Sequence, residues 1–164
     1  KVQEALEKWT ETKDNNKDIK LHLIGKLQTN KVKFCLPLFD YIHGLDNIKL
    51  AEKIANEQVK KNFKPKIFIQ INIGDEDQKG GVSQNELLEF YKKIMKEFDL
   101  DIIGLMCIPP FVDDTSSFFK KMRVLSEKIN LNELSMGMSD DYIQAANNSA
   151  TFIRVGSKIM GKRG

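Results

Sequence analysis

Short apolar segments alternate with longer amphipathic ones along this chain, and this alternation constrains its fold more than any other feature. Six apolar segments are predicted to be strands, at residues 21–25, 39–43, 66–73, 102–108, 134–137 and 152–155. Helices are predicted between them, as in the 3.6-residue spacing of Leu50, Ala51, Ile54, Ala55 and Val59. Strands this short and apolar on both faces are typical of sheets covered by helices. The pattern therefore predicts a parallel α/β sheet.

Two architectures fit six βα units, a doubly wound sheet and a (β/α)8 barrel. No Gly-x-Gly-x-x-Gly follows any of the strands, which argues against a dinucleotide-binding doubly wound sheet. A barrel needs eight units, and the chain opens on a predicted helix, residues 2–12, with no strand before it. We therefore expect a TIM barrel whose first two strands are missing, with six βα units in a single partial barrel domain over residues 1–164. The apolar edges of such a sheet predict that this chain self-associates, whereas the intact protein is expected to be a monomer.

Composition excludes several classes of partner. The net charge of +3 comes from 26 basic and 23 acidic residues that are scattered along the chain, so no basic tract indicates nucleic acid binding. No run of about 20 apolar residues indicates a membrane span. Cys35 and Cys107 have no metal-type spacing with His22 and His43. We expect no metal site and two buried free thiols, which is typical of a cytoplasmic protein.

The two loops that follow the last two predicted strands have the composition of an anion site. Gly137-Met138-Ser139 follows one strand, and Gly156-Ser157 follows the other. In each loop a glycine permits close approach to the backbone, and a serine stands at the expected start of a helix. Barrels often bind phosphate after strands seven and eight, which is where these loops would lie. The alternative is that Ser139 and Ser157 only cap their helices.

Arg154 lies inside the last apolar strand, where an arginine needs a partner. If its side chain points into the barrel mouth, it can donate a hydrogen bond to a ring nitrogen or an anion of a ligand. The alternative is a structural ion pair with Asp140 or Asp141.

Two further polar residues occur within apolar strands. Asn72 ends the third strand, where its amide must be hydrogen-bonded. It would line the mouth or tie down the next loop. His22 lies inside the first predicted strand, and we expect a core histidine with a satisfied ring rather than a general base.

Five segments, in order, resemble one protein family. Residues 22–31 (HLIGKLQTNK) match its signature H-x-I-G-x-L-Q-x-N-K. Further matches are QINI at residues 70–73, IGLMCIP at 103–109, LSMGMSDD at 134–141 and IRVGSK at 153–158. Together they span nearly the whole chain. The family is that of the pyridoxal phosphate homeostasis proteins, the YggS and PROSC type.

This resemblance implies a barrel like the N-terminal domain of alanine racemase, with pyridoxal 5′-phosphate in its mouth. It implies that Ser139, Gly156 and Ser157 hold the phosphate and that Arg154 approaches the pyridine nitrogen; Met138 and Asn72 complete the candidate set. In the family a lysine on the first strand, in an Ala-Val-Ser-Lys-type motif, binds the cofactor covalently. That motif does not occur in these 164 residues, so we expect no such bond here.

The resemblance further implies a non-catalytic carrier in vitamin B6 and amino-acid homeostasis. Two other functions remain open. One is an enzyme, either a racemase or lyase on the same cofactor or a barrel enzyme for a sugar phosphate. The other is a remnant that binds nothing.

Overall fold

A computed structural model describes residues 2–76 and 78–161, and six parallel strands form its one sheet. Each strand pairs with the next one along the chain, in the order β1-β2-β3-β4-β5-β6. The strands are β1 (His22–Leu23), β2 (Tyr41–Leu45), β3 (Lys66–Ile71), β4 (Asp101–Cys107), β5 (Glu133–Met138) and β6 (Phe152–Arg154). Because all six are parallel, their carboxyl ends meet at one edge of the sheet.

Helices connect the strands and cover the outer face of the sheet. They are α1 (Val2–Asn15), α2 (Val32–Cys35), α3 (Ile48–Lys61), α4 (Leu87–Glu97), α5 (Ser116–Lys128), α6 (Tyr142–Asn147) and α7 (Ser157–Met160), with a 3-10 turn at Thr29–Lys31. The start of α3 shows how the sequence sets such an element: the side chain of Asn47 accepts a hydrogen bond from Leu50 N. Its end is equally local, because Asn62 adopts the left-handed conformation that stops a helix.

The strands separate two layers of side chains. On β3, Ile67, Ile69 and Ile71 are buried and belong to the core between sheet and helices. Phe68 alternates with them and is also fully buried, but it stacks on the ring of His43 at the opposite face. A second, aromatic layer therefore fills the concave side of the sheet.

The predicted elements are all present, with two informative differences. The second strand is two residues further on than predicted, because Leu38 and Phe39 are buried in the preceding loop rather than in the sheet. The helix after β5 begins at Tyr142, and Ser139 does not cap it. The predicted buried thiols are confirmed, since Cys35 and Cys107 are buried and free.

The architecture is a curled, parallel six-strand α/β half-barrel, and a TIM-barrel-type fold is consistent with it. That two further strands belong before β1, and that residues 1–164 form one partial domain, stay predictions. No helix within the described ranges is long and apolar enough to cross a membrane.

Candidate functional site

A cleft of about 710 Å³ opens where the strands end. Ile24, Ile108, Met138 and Val155 line it from the carboxyl ends of β1, β4, β5 and β6 or one residue beyond them. Five of the six predicted ligand-binding residues line this same cleft: Met138, Ser139, Arg154, Gly156 and Ser157. The structure thus brings together positions that are up to 19 residues apart in the sequence, as the barrel prediction requires.

The two predicted anion loops contact each other directly. The hydroxyl oxygen of Ser139 accepts a hydrogen bond from Gly156 N at 3.2 Å. Its own hydrogen is therefore available to a ligand. Ser157 is the first residue of α7, and its N–H has no hydrogen-bond partner among the described residues. The interpretation of Ser139 as a helix cap is wrong, because Asp141 occupies that position.

A glycine sets the direction in which the first loop leaves β5. Gly137 has φ +89°, which side chains other than hydrogen rarely permit. An added Cβ would lie 2.5 Å from Cβ of Ala145 on α6. The loop carrying Met138 and Ser139 can therefore run this close to α6 only because residue 137 has no side chain. The amide of Met138 then donates to Oδ1 of Asp141 at 2.6 Å.

The guanidinium of Arg154 is held on two sides by the protein. Its Nη1 donates to Ser135 Oγ and its Nη2 to the Cys107 carbonyl, both at 2.8 Å. Its Nε–H is also buried, and this group has no partner in the part of the chain that the structure describes. Burial lowers the pKa of Arg154, and the nearby Cys107 and Asp141 oppose this shift. An unpaired buried donor on a lining residue is what a ligand acceptor would satisfy.

The alternative role for Arg154 was an ion pair with Asp140 or Asp141. Among the described residues, neither carboxylate forms a salt bridge or hydrogen bond with it. The carboxylate of Asp141 instead accepts the Met138 amide. The free Nε–H therefore favours the ligand role.

Asn72 is the one predicted ligand-binding residue that does not line the cleft. Its amide nitrogen donates to the carbonyl of Glu76 at 2.9 Å, and its amide oxygen accepts from Glu76 N at 3.1 Å. Because both ends of the side chain are engaged, it ties down the loop after β3. This is the second of the two roles that the sequence left open.

Sequence reasoning missed two residues of the cleft region, His43 and Ser135. Nδ1 of His43 lies 2.8 Å from Ser135 Oγ, and its Nε2 lies 2.9 Å from Nδ1 of His22. Burial lowers the pKa of His43 to about 3, with smaller contributions from His22 and Arg154. Burial also lowers the pKa of His22, against the opposing charge of Asp40. Both rings are therefore neutral near pH 7.

The expectation that His22 is a satisfied core histidine holds only in part. Its Nδ1 is paired, and its ring stacks on Tyr41 at 4.0 Å with an interplanar angle of 5°. The side chain nevertheless lines the cleft, together with His43. The sequence does contain a signal for both residues. Each is a polar residue within an otherwise apolar strand, in which every second side chain points to the same face of the sheet.

A curled parallel sheet with an anion-type loop pair at its carboxyl edge defines the class of protein related to alanine racemase. The family model "Alanine racemase, N-terminal domain" matches residues 1–164. Alanine racemase from Clostridium difficile is similar in structure, with a TM-score of 0.73 over 93% of this chain and 42% of that one. At 13% identity, that likeness shows the fold alone.

Curated relatives narrow the class. A pyridoxal phosphate homeostasis protein from Aquifex aeolicus is 37% identical over 172 residues, which cover 99% of this chain and 75% of the relative. The homologue from Pasteurella multocida is 37% identical over 173 residues, 99% of this chain and 74% of the relative. PipY of Synechococcus elongatus, solved without pyridoxal phosphate, has a TM-score of 0.90 at 32% identity, covering 98% of this chain and 79% of PipY. PipY with pyridoxal phosphate bound has a TM-score of 0.85. The chain belongs to the pyridoxal phosphate homeostasis protein family.

Proposed function

We propose that this cleft binds pyridoxal 5′-phosphate and that the protein carries and buffers the cofactor without turning over a substrate. The observation that carries the proposal is the buried, unpartnered Nε–H of Arg154 in the wall of a cleft whose rim is formed by the Ser139 and Gly156 loops. An aromatic nitrogen acceptor and a phosphate on one small molecule would satisfy both features. The names of the curated relatives and the cofactor-bound PipY support the same ligand.

The residues present fit the cofactor in their chemistry. The phosphate end would be held by the hydroxyl of Ser139 and by the N–H and hydroxyl of Ser157, the first residue of α7. A Cβ built on Gly156 meets nothing within 4 Å, so the backbone there is open to close approach. Asp140 also lines the cleft, and its charge disfavours an anion placed beside it. The phosphate is therefore expected on the Gly156 side of the loop pair.

The ring end would be oriented by Arg154. A guanidinium keeps its proton even where burial lowers its pKa, so Nε–H donates to the pyridine nitrogen rather than accepting from it. The cofactor supplies an electron-withdrawing ring and a reactive aldehyde when bound. The chain's own contribution is to bind, to orient and to shield. The buried rings of His43 and Phe68 exclude water from the floor below Arg154.

Binding can be tested by titrating the purified protein with pyridoxal 5′-phosphate and following absorbance and intrinsic fluorescence. We expect saturable binding that Arg154→Met weakens by about tenfold or more, the magnitude of a lost charged hydrogen bond. Arg123→Gln is the matched control, because Arg123 is an exposed helix arginine that pairs with Glu127. Equal affinity in Arg154→Met, with its fold verified by circular dichroism, would refute the proposed role of Arg154.

The carrier role needs a separate test against the enzyme alternative. The loaded protein should leave a panel of L-amino acids unchanged in chirality and concentration after prolonged incubation, as assayed by chiral chromatography. Racemisation or elimination that depends on Arg154 would replace the carrier with a racemase or lyase. If the protein shows no saturable binding at all, the remnant hypothesis stands.

A further inference from the structure

Four side chains below the cleft form one continuous hydrogen-bonded chain. It runs from Arg154 Nη1 to Ser135 Oγ (2.8 Å), on to His43 Nδ1 (2.8 Å), and from His43 Nε2 to His22 Nδ1 (2.9 Å). Ser135 and His43 are 0% and 2% exposed, so bulk solvent has almost no access to their polar atoms. The direction of each hydrogen bond can therefore be worked out from the groups themselves.

The hydroxyl of Ser135 has one possible arrangement that leaves nothing unpaired. Arg154 is a donor only, so Ser135 Oγ accepts from it. Within the described residues, the only other hydrogen-bond partner of that hydroxyl is Nδ1 of His43. If Nδ1 carried the proton, the hydroxyl hydrogen would be buried without an acceptor, which is unfavourable in free energy. The hydroxyl therefore donates to an unprotonated Nδ1.

This assignment fixes the protonation of both imidazoles. A neutral His43 that accepts at Nδ1 carries its proton on Nε2 and donates it to Nδ1 of His22. His22 then accepts at Nδ1, and as a neutral ring it carries its own proton on Nε2. The side chain of His22 lines the cleft, so we infer that this N–H is a donor to a ligand there.

Ring packing fixes the orientation of the two imidazoles in this hydrogen-bonded chain. His43 stacks on Phe68 with centroids 4.4 Å apart and an interplanar angle of 19°. His22 stacks on Tyr41 at 4.0 Å. Either ring would have to break its stack in order to rotate, so the hydrogen-bond geometry persists without a ligand.

We propose that Ser135 and His43 are positioning residues that polarise this chain in one direction, from Arg154 to His22. The chain holds the guanidinium through Nη1 and leaves its buried Nε–H unpaired, and it makes Nε2–H of His22 a neutral donor besides the charged Nε–H. The ligand class is a heteroaromatic ring with acceptors on its edge, one of them a ring nitrogen. This inference rests on the proposed function for its ligand, while the proton positions are a property of the free protein.

The free protein gives the direct test. Its sequence contains only two histidines, so ¹⁵N spectra of selectively labelled imidazoles at pH 7 are readily assigned. We expect both rings to be protonated at Nε2 and unprotonated at Nδ1. A ring protonated at Nδ1 in either histidine would overturn the proposal.

A variant shows whether Ser135 sets this direction. In Ser135→Ala, we expect His43 to show a mixture of tautomers, because no hydroxyl then requires an acceptor. Ser126→Ala is the matched control: Ser126 is also buried, but its hydroxyl bonds to the Leu131 carbonyl on the far side of α5. Unchanged tautomers in Ser135→Ala would contradict the role of the serine.

Cofactor affinity separates this proposal from the proposed function. Ser135→Ala should weaken binding of pyridoxal 5′-phosphate by about threefold or more, since it removes one of the two bonds that hold Arg154, while Ser126→Ala should not. If the wild-type protein binds no cofactor, the proposed function fails. The tautomers of His43 and His22 still show whether the hydrogen bonds run from Arg154 to His22. If the wild-type protein binds tightly but Ser135→Ala binds equally well, the positioning role fails and the proposed function stands.

Discussion

The ring of Phe152 on β6 lies 5.8 Å from the ring of His22 on β1, at an interplanar angle of 49°. In the part of the chain that the structure describes, these strands do not pair with each other; β1 pairs with β2 and β6 with β5. Their side chains nevertheless contact across the concave face, which is possible only because the sheet curls. Phe152 also contacts the rings of Tyr41, His43 and Phe68 at 5.7, 6.3 and 5.3 Å.

Replacing this central ring should destabilise the fold. Phe152→Ala removes aromatic contacts to four neighbours from a partly buried ring, so we expect a loss of about 1–3 kcal/mol in the free energy of unfolding. Urea denaturation followed by circular dichroism measures it. Phe111→Ala is the control, because that ring is 97% exposed and its loss should change stability by less than about 0.5 kcal/mol. Equal effects in the two variants would show that the aromatic layer does not stabilise the sheet.

The hydroxyl of Ser139 should act on the phosphate of the ligand rather than on the ring. Ser139→Ala removes a donor at the rim, and we expect affinity for pyridoxal 5′-phosphate to fall about tenfold. Pyridoxal, which lacks the phosphate, provides the internal control, and its weaker binding should not change. Both ligands are titrated by fluorescence under identical salt. A comparable loss for pyridoxal would place Ser139 away from the phosphate.

Local patterns predicted most of this fold, and the errors have a common physical cause. The continuous apolar runs of β3 and β4 predict these strands without ambiguity, because both faces of each strand are buried. The prediction begins the second strand at Phe39 rather than Tyr41, because Phe39 is apolar for a different reason: a loop buries it. Hydrophobicity reports burial and does not report whether a strand or a loop provides it.

The candidate site also has parts that local sequence patterns predict and parts that they do not. The loops with Ser139 and Gly156 could be predicted, because glycine and a hydroxyl at a strand end are local signals. The contact between His43 and Ser135 joins residues 92 positions apart, and no local pattern encodes such a pair. Asn72 contrasts with this pair. Its amide bonds to the backbone of Glu76, only four residues away, and therefore stabilises the loop after β3 instead of lining the cleft.

The conformation of Gly137 should be essential to both stability and binding. Gly137→Ala would place a Cβ against Ala145 and force a left-handed backbone on a residue that disfavours it. We expect a loss of about 1–3 kcal/mol, measured by urea denaturation. Gly25→Ala is the matched control at the end of β1, where an added Cβ meets nothing within 4 Å. A stable Gly137→Ala would mean that the loop after β5 adapts without constraint.

The neutral state of His43 predicts how stability depends on pH. In the unfolded chain a histidine titrates near 6.5, whereas burial holds the pKa of His43 at about 3 in the folded protein. Between these values the unfolded state binds one more proton, so stability falls as pH falls. The contribution of His43 is complete above about pH 7 and is lost progressively below 6.5.

The variant His43→Phe isolates this effect, because it keeps a ring against Phe68 and removes the titration. Between pH 7 and pH 5 the wild type should lose about 2 kcal/mol more stability than the variant, as given by urea midpoints at each pH. This window lies above the ordinary range of carboxylate titration, so acidic side chains do not account for the difference. Parallel pH profiles would show that the pKa of His43 is the same in the folded and the unfolded protein, so that burial does not hold the ring neutral.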